Sequence, residues 1–198
     1  MSNDRTHDLA RQRLTELAAP TKAVGGMRAD LLEYRPIPEH EDDAHAWLSC
    51  VLALEGVAAG NFGVGAILVE EGGRIAVQGH NEMFHPRFRS DRHAEMVVMD
   101  RWEGSDPGAC GGTLVTSVEP CPMCLVRLSS SALRRVLYVA PDLTGGMVRR
   151  MDSLPPYWAE AARGKVFAQA RCSPDLVRAA EQIFLLNLEE LTAHMKAR

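Results

Sequence analysis

A chain of 198 residues that is 46% hydrophobic cannot be disordered throughout, and its length suits one domain of ordinary size with an appended arm. Its net charge of −4 and pI near 6.0 argue against a nucleic-acid partner held by bulk electrostatics. No apolar run is long enough to span a membrane and the start MSNDRTHDLARQR is charged rather than signal-like, so the expectation is a cytoplasmic protein with no membrane partner.

Residues 1–41 differ from the rest. A charged amphipathic segment from Asp8 to Leu17 gives way to a stretch holding Pro20, Pro36, Pro38 and the Gly25–Gly26 pair. It reads as an N-terminal arm outside the core, part helix and part loop, with the functional domain over 42–198. Asp42 or Asp43 is placed to cap a helix running through Trp47, Val51 and Leu54 to Ala59. FGVGAILVE and RIAVQG read as strands of a hairpin turned at EEGG. A loop from His80 to Arg92 leads into a helix through AEMVVMDRW, a strand at GGTLVTSV, a helix at CLVRLSSSAL and a strand at RVLYVA. The irregular stretch PDLTGGMVRRMDSLPPYW precedes a short helix, a fifth strand at KVFAQA and one final helix with Ser173 as N-cap and Pro174 at its first position. Strands alternating with helices predict a layered α/β sheet covered by helices on both faces.

Five cysteines in a chain expected in a reducing compartment do not suggest a disulfide framework. Cys50 lies in the apolar run AWLSCVLALEGV and reads as core, while Cys110 and Cys172 carry no signal. Cys121 and Cys124, in PCPMC, have metal-ligand or redox spacing. Alone they fit a redox pair or half of a structural zinc site, with His80, His85 or Cys110 to complete it. His93 and Glu95, in HAEM, open another predicted helix. One imidazole and two thiolates make a three-ligand zinc site with an open fourth position, the arrangement of catalytic zinc. Helix N-termini favour the thiolate form, and zinc at an open site brings the pKa of water to about 7. Glu95, two residues from a ligand, is then placed to carry that water's proton.

HAE followed by PCPMC resembles the cytidine-deaminase-like zinc hydrolases, over about residues 42–190. The resemblance implies a three-layer α/β/α fold with a five-stranded mixed sheet, and zinc held by His93, Cys121 and Cys124. Glu95 would be the proton shuttle, in an enzyme that replaces an exocyclic amine by hydroxide and releases ammonia. Homodimers are common among such relatives. Asn81, in GHN, stands where related base deaminases hold the ring edge, and an amide can donate and accept there at once. Phe62, in NFGVGA, matches the aromatic of the family's PFGA-like segment, with Asn61 where proline is usual. The N–H of Ala94 would face the pocket.

GHNEMF is similar to the fungal type of cytosine deaminase, and PPYW at Pro155–Trp158 to guanine- and triazine-deaminating relatives. On this resemblance the irregular segment Met151–Trp158 is expected to close over the substrate, with Trp158 as a flat wall and Asp152 as a hydrogen-bond acceptor. Arg87, Arg89 and Arg92 crowd the loop before His93 and read as a solvated basic face rather than an anion site. Three functions follow. The leading one is a zinc-dependent deaminase of a small aminated heterocycle, such as cytosine, guanine or an aminotriazine. The second is a tRNA adenosine deaminase, which the overall acidity opposes. The third is a non-catalytic zinc-stabilised module, for which Glu95 would have no use.

Overall fold

The computed structural model describes residues 2–105 and 110–198. Its centre is helix α3, Asp43–Ala58, whose sequence DAHAWLSCVLALEGVA is apolar around nearly its whole circumference and is accordingly buried on every side. Strands β1 (Gly65–Val69) and β2 (Ile75–His80) form the expected antiparallel hairpin, and β1 also pairs antiparallel with β3 (Thr113–Val118). Beyond it, β4 (Arg135–Ala140) and β5 (Val166–Gln169) continue in parallel, giving a mixed sheet of order β2-β1-β3-β4-β5.

Side chains alternate across this sheet with the two-residue period of a strand. Ile67, Val69, Val115, Leu137 and Val139 face a core shared with α3 and α7 (Pro174–Leu185). Ala66, Leu68, Leu114 and Val136 face a second core under α4 (Ala94–Ser105) and α5 (Pro122–Ser130). The α/β/α layering read from the alternation of elements is the architecture found. No described helix is long and apolar enough to cross a membrane.

The N-terminal segment departs from expectation. Instead of an arm outside the core, α1 (Ser2–Glu16) and α2 (Lys22–Glu33) pack on α3, and Ala10, Leu14, Val24 and Leu31 belong to its core. The buried Trp47 Nε1 donates to Leu31 O at 3.1 Å, and Arg13 pairs with Glu55 at 2.7 Å, so both helices are tied to α3 by polar contacts as well. Neither Asp42 nor Asp43 caps α3 through its side chain. Asp43 accepts from Tyr34 Oη and the backbone N–H groups of Ile37 and Ser173, and Asp42 accepts from Arg171 N. These two carboxylates fasten the chain's beginning and its last third to one helix end.

The final helix is also not single. It breaks at Leu186–Asn187 into α7 and α8 (Leu188–Lys196), because Asn187 takes a non-helical conformation (φ −136°, ψ 11°) at the start of the second helix. Asparagine favours such positions because its side chain competes for backbone hydrogen bonds. Within the irregular stretch a 3-10 turn spans Val148–Ser153, and the short helix α6 spans Pro156–Ala162.

Leu14 is fully buried, so Leu14→Ala should lower unfolding free energy by about 2–5 kcal/mol, the range for a truncated core leucine. A chemical denaturation shift under about 0.5 kcal/mol, as for surface positions, would show that α1 is not part of the folded core.

Candidate active site

His93 immediately precedes α4 and Glu95 lies in its first turn. Cys121 is the N-cap of α5, Pro122 follows with its preset backbone angle, and Cys124 lies in the first turn. Two helix starts therefore meet beside the end of β3. Both cysteine sulfurs lie 3.6 Å from His93 Nδ1. Tetrahedral coordination with Zn–S of about 2.3 Å and Zn–N of about 2.0–2.1 Å requires an S···N separation of about 3.6 Å. The geometry fits zinc, and among the described residues these three form the group able to hold a metal ion. His80, His85 and Cys110 do not join them.

The local electrostatics match. The Cys124 thiol donates to Cys121, and this bond, opposed by burial and helped by His93, brings the Cys121 pKa down to about 4. The same bond, with burial, raises Cys124 well above the thiol range. Burial disfavours the His93 imidazolium, but the Cys121 contact and the charge of Glu95 outweigh it and raise its pKa. Glu95 is 3% exposed, and burial followed by the charge of Cys121 pushes its pKa up to about 6. A carboxyl poised near neutrality both takes and returns a proton. Its Oε2 lies 3.5 Å from Cys124 Sγ, beside the ligand set.

A cavity of about 220 Å³ opens in front of these groups. Phe62, Val64 and Val118 wall it near the sheet, and Asn81 projects into it. Asn81 Oδ1 accepts from Met83 N at 3.0 Å, so the side chain that was expected to donate and accept presents mainly its Nδ2 donor. Phe62 is buried and meets Phe84 edge to face at 5.6 Å. Ala94 is fully buried between His93 and Glu95, its N–H in the first turn of α4, where helical amides lack intrahelical partners. Asn61, where the resemblance sets proline, donates its backbone N–H to Gly56 O at 2.8 Å, a bond proline cannot make.

Asp152 and Trp158 do not reach this pocket. Arg149 is bound to Glu119 and α6 packs on α5, which turns the intervening segment outward. Asp152 is exposed, and Trp158 stacks edge-on against the exposed Tyr157 at 5.0 Å. The lid role expected for 151–158 is thus not met within one chain. Arg89 and Arg92 are held in ion pairs with Asp91, Glu82 and Asp100, in keeping with a solvated face.

The pocket has walls that motif reading passed over. Glu119, its side chain fully buried, accepts from Asp142 N, Arg149 N and Arg149 Nε, and so pins the loop after β4 against the site. An acid ending the apolar strand TLVTSV, directly before PCPMC, was the available signal. Phe184, Leu188, Thr192 and Met195 close the opposite side. Their near-helical spacing in the C-terminal sequence was the signal there.

An α/β/α sheet carrying a His–Cys–Cys metal centre beside a buried glutamate defines a zinc-binding domain. The profile of the cytidine and deoxycytidylate deaminase zinc-binding region matches residues 40–140, and the chain belongs to that family. The tRNA(Ile)-lysidine synthase of Deinococcus deserti is 34% identical over 160 residues, 77% of this chain and 27% of the relative. The tRNA-specific adenosine deaminase of Bacillus subtilis is 36% identical over 96 residues, 44% of this chain and 54% of the relative. The chain thus spans about a quarter and about half of the length of these relatives. Among solved structures, one from work on tRNA:A34 deaminases superposes with TM-score 0.57 at 24% identity, covering 68% of this chain and 94% of that one. The guanine deaminase of Nitrosomonas europaea superposes with TM-score 0.57 at 20% identity, covering 78% and 90%. At these identities the structural likeness establishes the fold.

The purified protein should carry about one zinc per chain by elemental analysis. Cys121→Ala or Cys124→Ala should empty the site; full occupancy in both variants would mean that other residues hold the metal.

Proposed function

We propose that this chain is a zinc-dependent hydrolase that removes an exocyclic amine from a small heterocycle and releases ammonia. Its substrate class is a free base such as cytosine or guanine, or an aminotriazine-like analogue. The observation that carries this reading is the pocket itself: a cavity of about 220 Å³, walled by apolar side chains, with one amide donor and a buried glutamate facing the zinc ligands. Apolar walls with a few convergent polar groups are the usual form of a small-molecule site.

His93, Cys121 and Cys124 would hold the zinc, which when bound supplies the Lewis acidity that makes water a nucleophile near neutral pH. Asn81 Nδ2 donates to an acceptor on the ring edge and fixes which ring carbon faces the metal. Glu95 takes a proton at its carboxylate and passes it to the departing amine, so that ammonia leaves neutral. Phe62 and Val64 hold the ring flat and exclude bulk water, which strengthens each of these polar contacts. Asp152 and Trp158 can touch such a ring only across a homodimer, which light scattering of the purified protein tests.

A second reading, deamination of adenosine in tRNA, is favoured by the kinship with tRNA-modifying enzymes. The net charge of −4 opposes it, because a polynucleotide is held mainly by cationic contacts to phosphate. A zinc-stabilised module without activity leaves a buried glutamate beside the ligands without purpose.

Ammonia release measured across free bases, nucleosides, aminotriazines and tRNA separates these readings. Free bases should be turned over with little salt dependence; deamination confined to tRNA, weakening steeply with salt, would establish the second reading. Glu95→Gln should retain zinc and lose about 10²–10⁴-fold or more in rate, because an amide does not shuttle protons. Near-normal turnover would remove Glu95 from the chemistry. Asn81→Ala should cost about 1–3 kcal/mol in kcat/KM, the penalty for an unpaired polar ring edge.

A further inference from the structure

The metal ligands come from the starts of α4 and α5, and a second link joins the same two helices beside them. Asp100, about two turns into α4 from His93, holds an arginine on each of its two oxygens. Its Oδ2 lies 2.7 Å from Arg92 Nη1, and its Oδ1 lies 2.6 Å from Arg127 Nη1. Arg92 is the residue immediately before the ligand His93. Arg127 stands three residues after the ligand Cys124, on the next turn of the same face of α5. One carboxylate thus bridges the neighbours of ligands from both helices.

Both arginines are anchored further. Arg92 Nη2 pairs with Glu82 at 2.7 Å, and Glu82 N donates to the carbonyl of Arg92 at 2.9 Å. Glu82 directly follows Asn81, so the same arginine ties the pocket's amide to the start of α4. Arg127 Nη2 pairs with Glu103 at 2.8 Å. The Arg92 and Arg127 side chains are 19% and 25% exposed, against 45% for Arg89 in the same loop as Arg92. Partial burial reduces screening by salt, and pairs that share partners contribute more than isolated ones. His93 has need of such support, because it lies just outside α4. Its N–H donates to Asp91 O and its carbonyl accepts from Val97 N. Both bonds are local, and neither sets its distance from the sulfurs on α5.

We propose that Asp100 is a positioning residue for the metal centre. With Arg92 and Arg127 it forms an ionic clamp that keeps His93 at the spacing the two cysteine sulfurs require. A ligand set held ready in this way loses less freedom when zinc binds, and gives the ion up slowly. The clamp concerns the ligands alone and stands whichever substrate reading holds.

Zinc release from the loaded, full-length chain into an excess of a chromogenic chelator tests it. Asp100→Asn keeps the shape of the side chain and removes its charge, while Arg127→Gln cuts the clamp from the side of α5. Each should release zinc about tenfold faster, the lower end of the effect of removing groups that support metal ligands. The double variant should be no faster than either single one, since both changes break one link. Added salt should speed release from the wild type and leave Asp100→Asn unaffected. Arg13→Gln, which breaks the pair between α1 and α3, should release zinc at the wild-type rate even where it lowers stability. Wild-type release from Asp100→Asn would overturn the clamp. So would single effects that multiply in the double variant, because Asp100 and Arg127 would then act separately. Equal acceleration in Arg13→Gln would overturn it as well, by tracing faster release to general loss of stability.

Discussion

Three ligand atoms from two separate helix starts must meet at the spacing a single tetrahedral ion permits, and the arrangement of the sheet meets that requirement. Cys121 caps α5 at the end of β3, while His93 enters from a loop that follows β2, on the far side of β1. Antiparallel pairing of β1 with both neighbours turns that loop toward the end of β3 from which α5 departs. The 3.6 Å separations between His93 Nδ1 and both sulfurs are the product. The close approach of the layers contributes as well. A side chain at Gly65 would lie 2.3 Å from Ser49 O and 2.4 Å from Ala53 N, so β1 rests directly on the backbone of α3.

The two buried glutamates near this centre have different fates, and the difference is one of partners. Glu119 is saturated by three N–H donors from the loop after β4, including the Arg149 side chain, and is thereby a structural anchor. Gly146 lets that loop come close, since a Cβ there would stand 2.5 Å from the Glu119 carboxylate and from Asp142 O. Glu95 has no cation of that kind within its hydrogen-bond set, and burial leaves its proton loosely held near neutrality. Equal burial thus gives a saturated anchor in one case and a carboxyl with a raised pKa in the other.

Much of the fold was legible because period and punctuation agree with the final packing. The hairpin, the strands TLVTSV and RVLYVA, and the Ser173–Pro174 helix start occur as their residues suggest. Less legible was the packing of α1 and α2, since a charged amphipathic segment looks alike whether it lies on a core or apart from it. The apolar stripe of Ala10 and Leu14 has meaning only once Trp47 and α3 stand opposite. Asn81 shows a similar limit: its type indicated a ring contact, but its bond to Met83 N decides which half of the amide remains for a ligand.

The metal centre was determined by the sequence alone, because His-x-Glu and Cys-x-x-Cys at helix starts fix ligand types and local geometry over a few residues. What encloses the pocket was decided only by the tertiary structure. Asp152 and Trp158 had the composition of a lid, yet the Glu119–Arg149 pair and the seat of α6 on α5 carry them outward. Leu188, Thr192 and Met195 lie far along the chain from the ligands and reach the cavity because α7 breaks at Asn187 and α8 folds back over Phe62. Ligand spacing is a short-range property of the backbone, whereas a pocket wall depends on where distant helices come to rest.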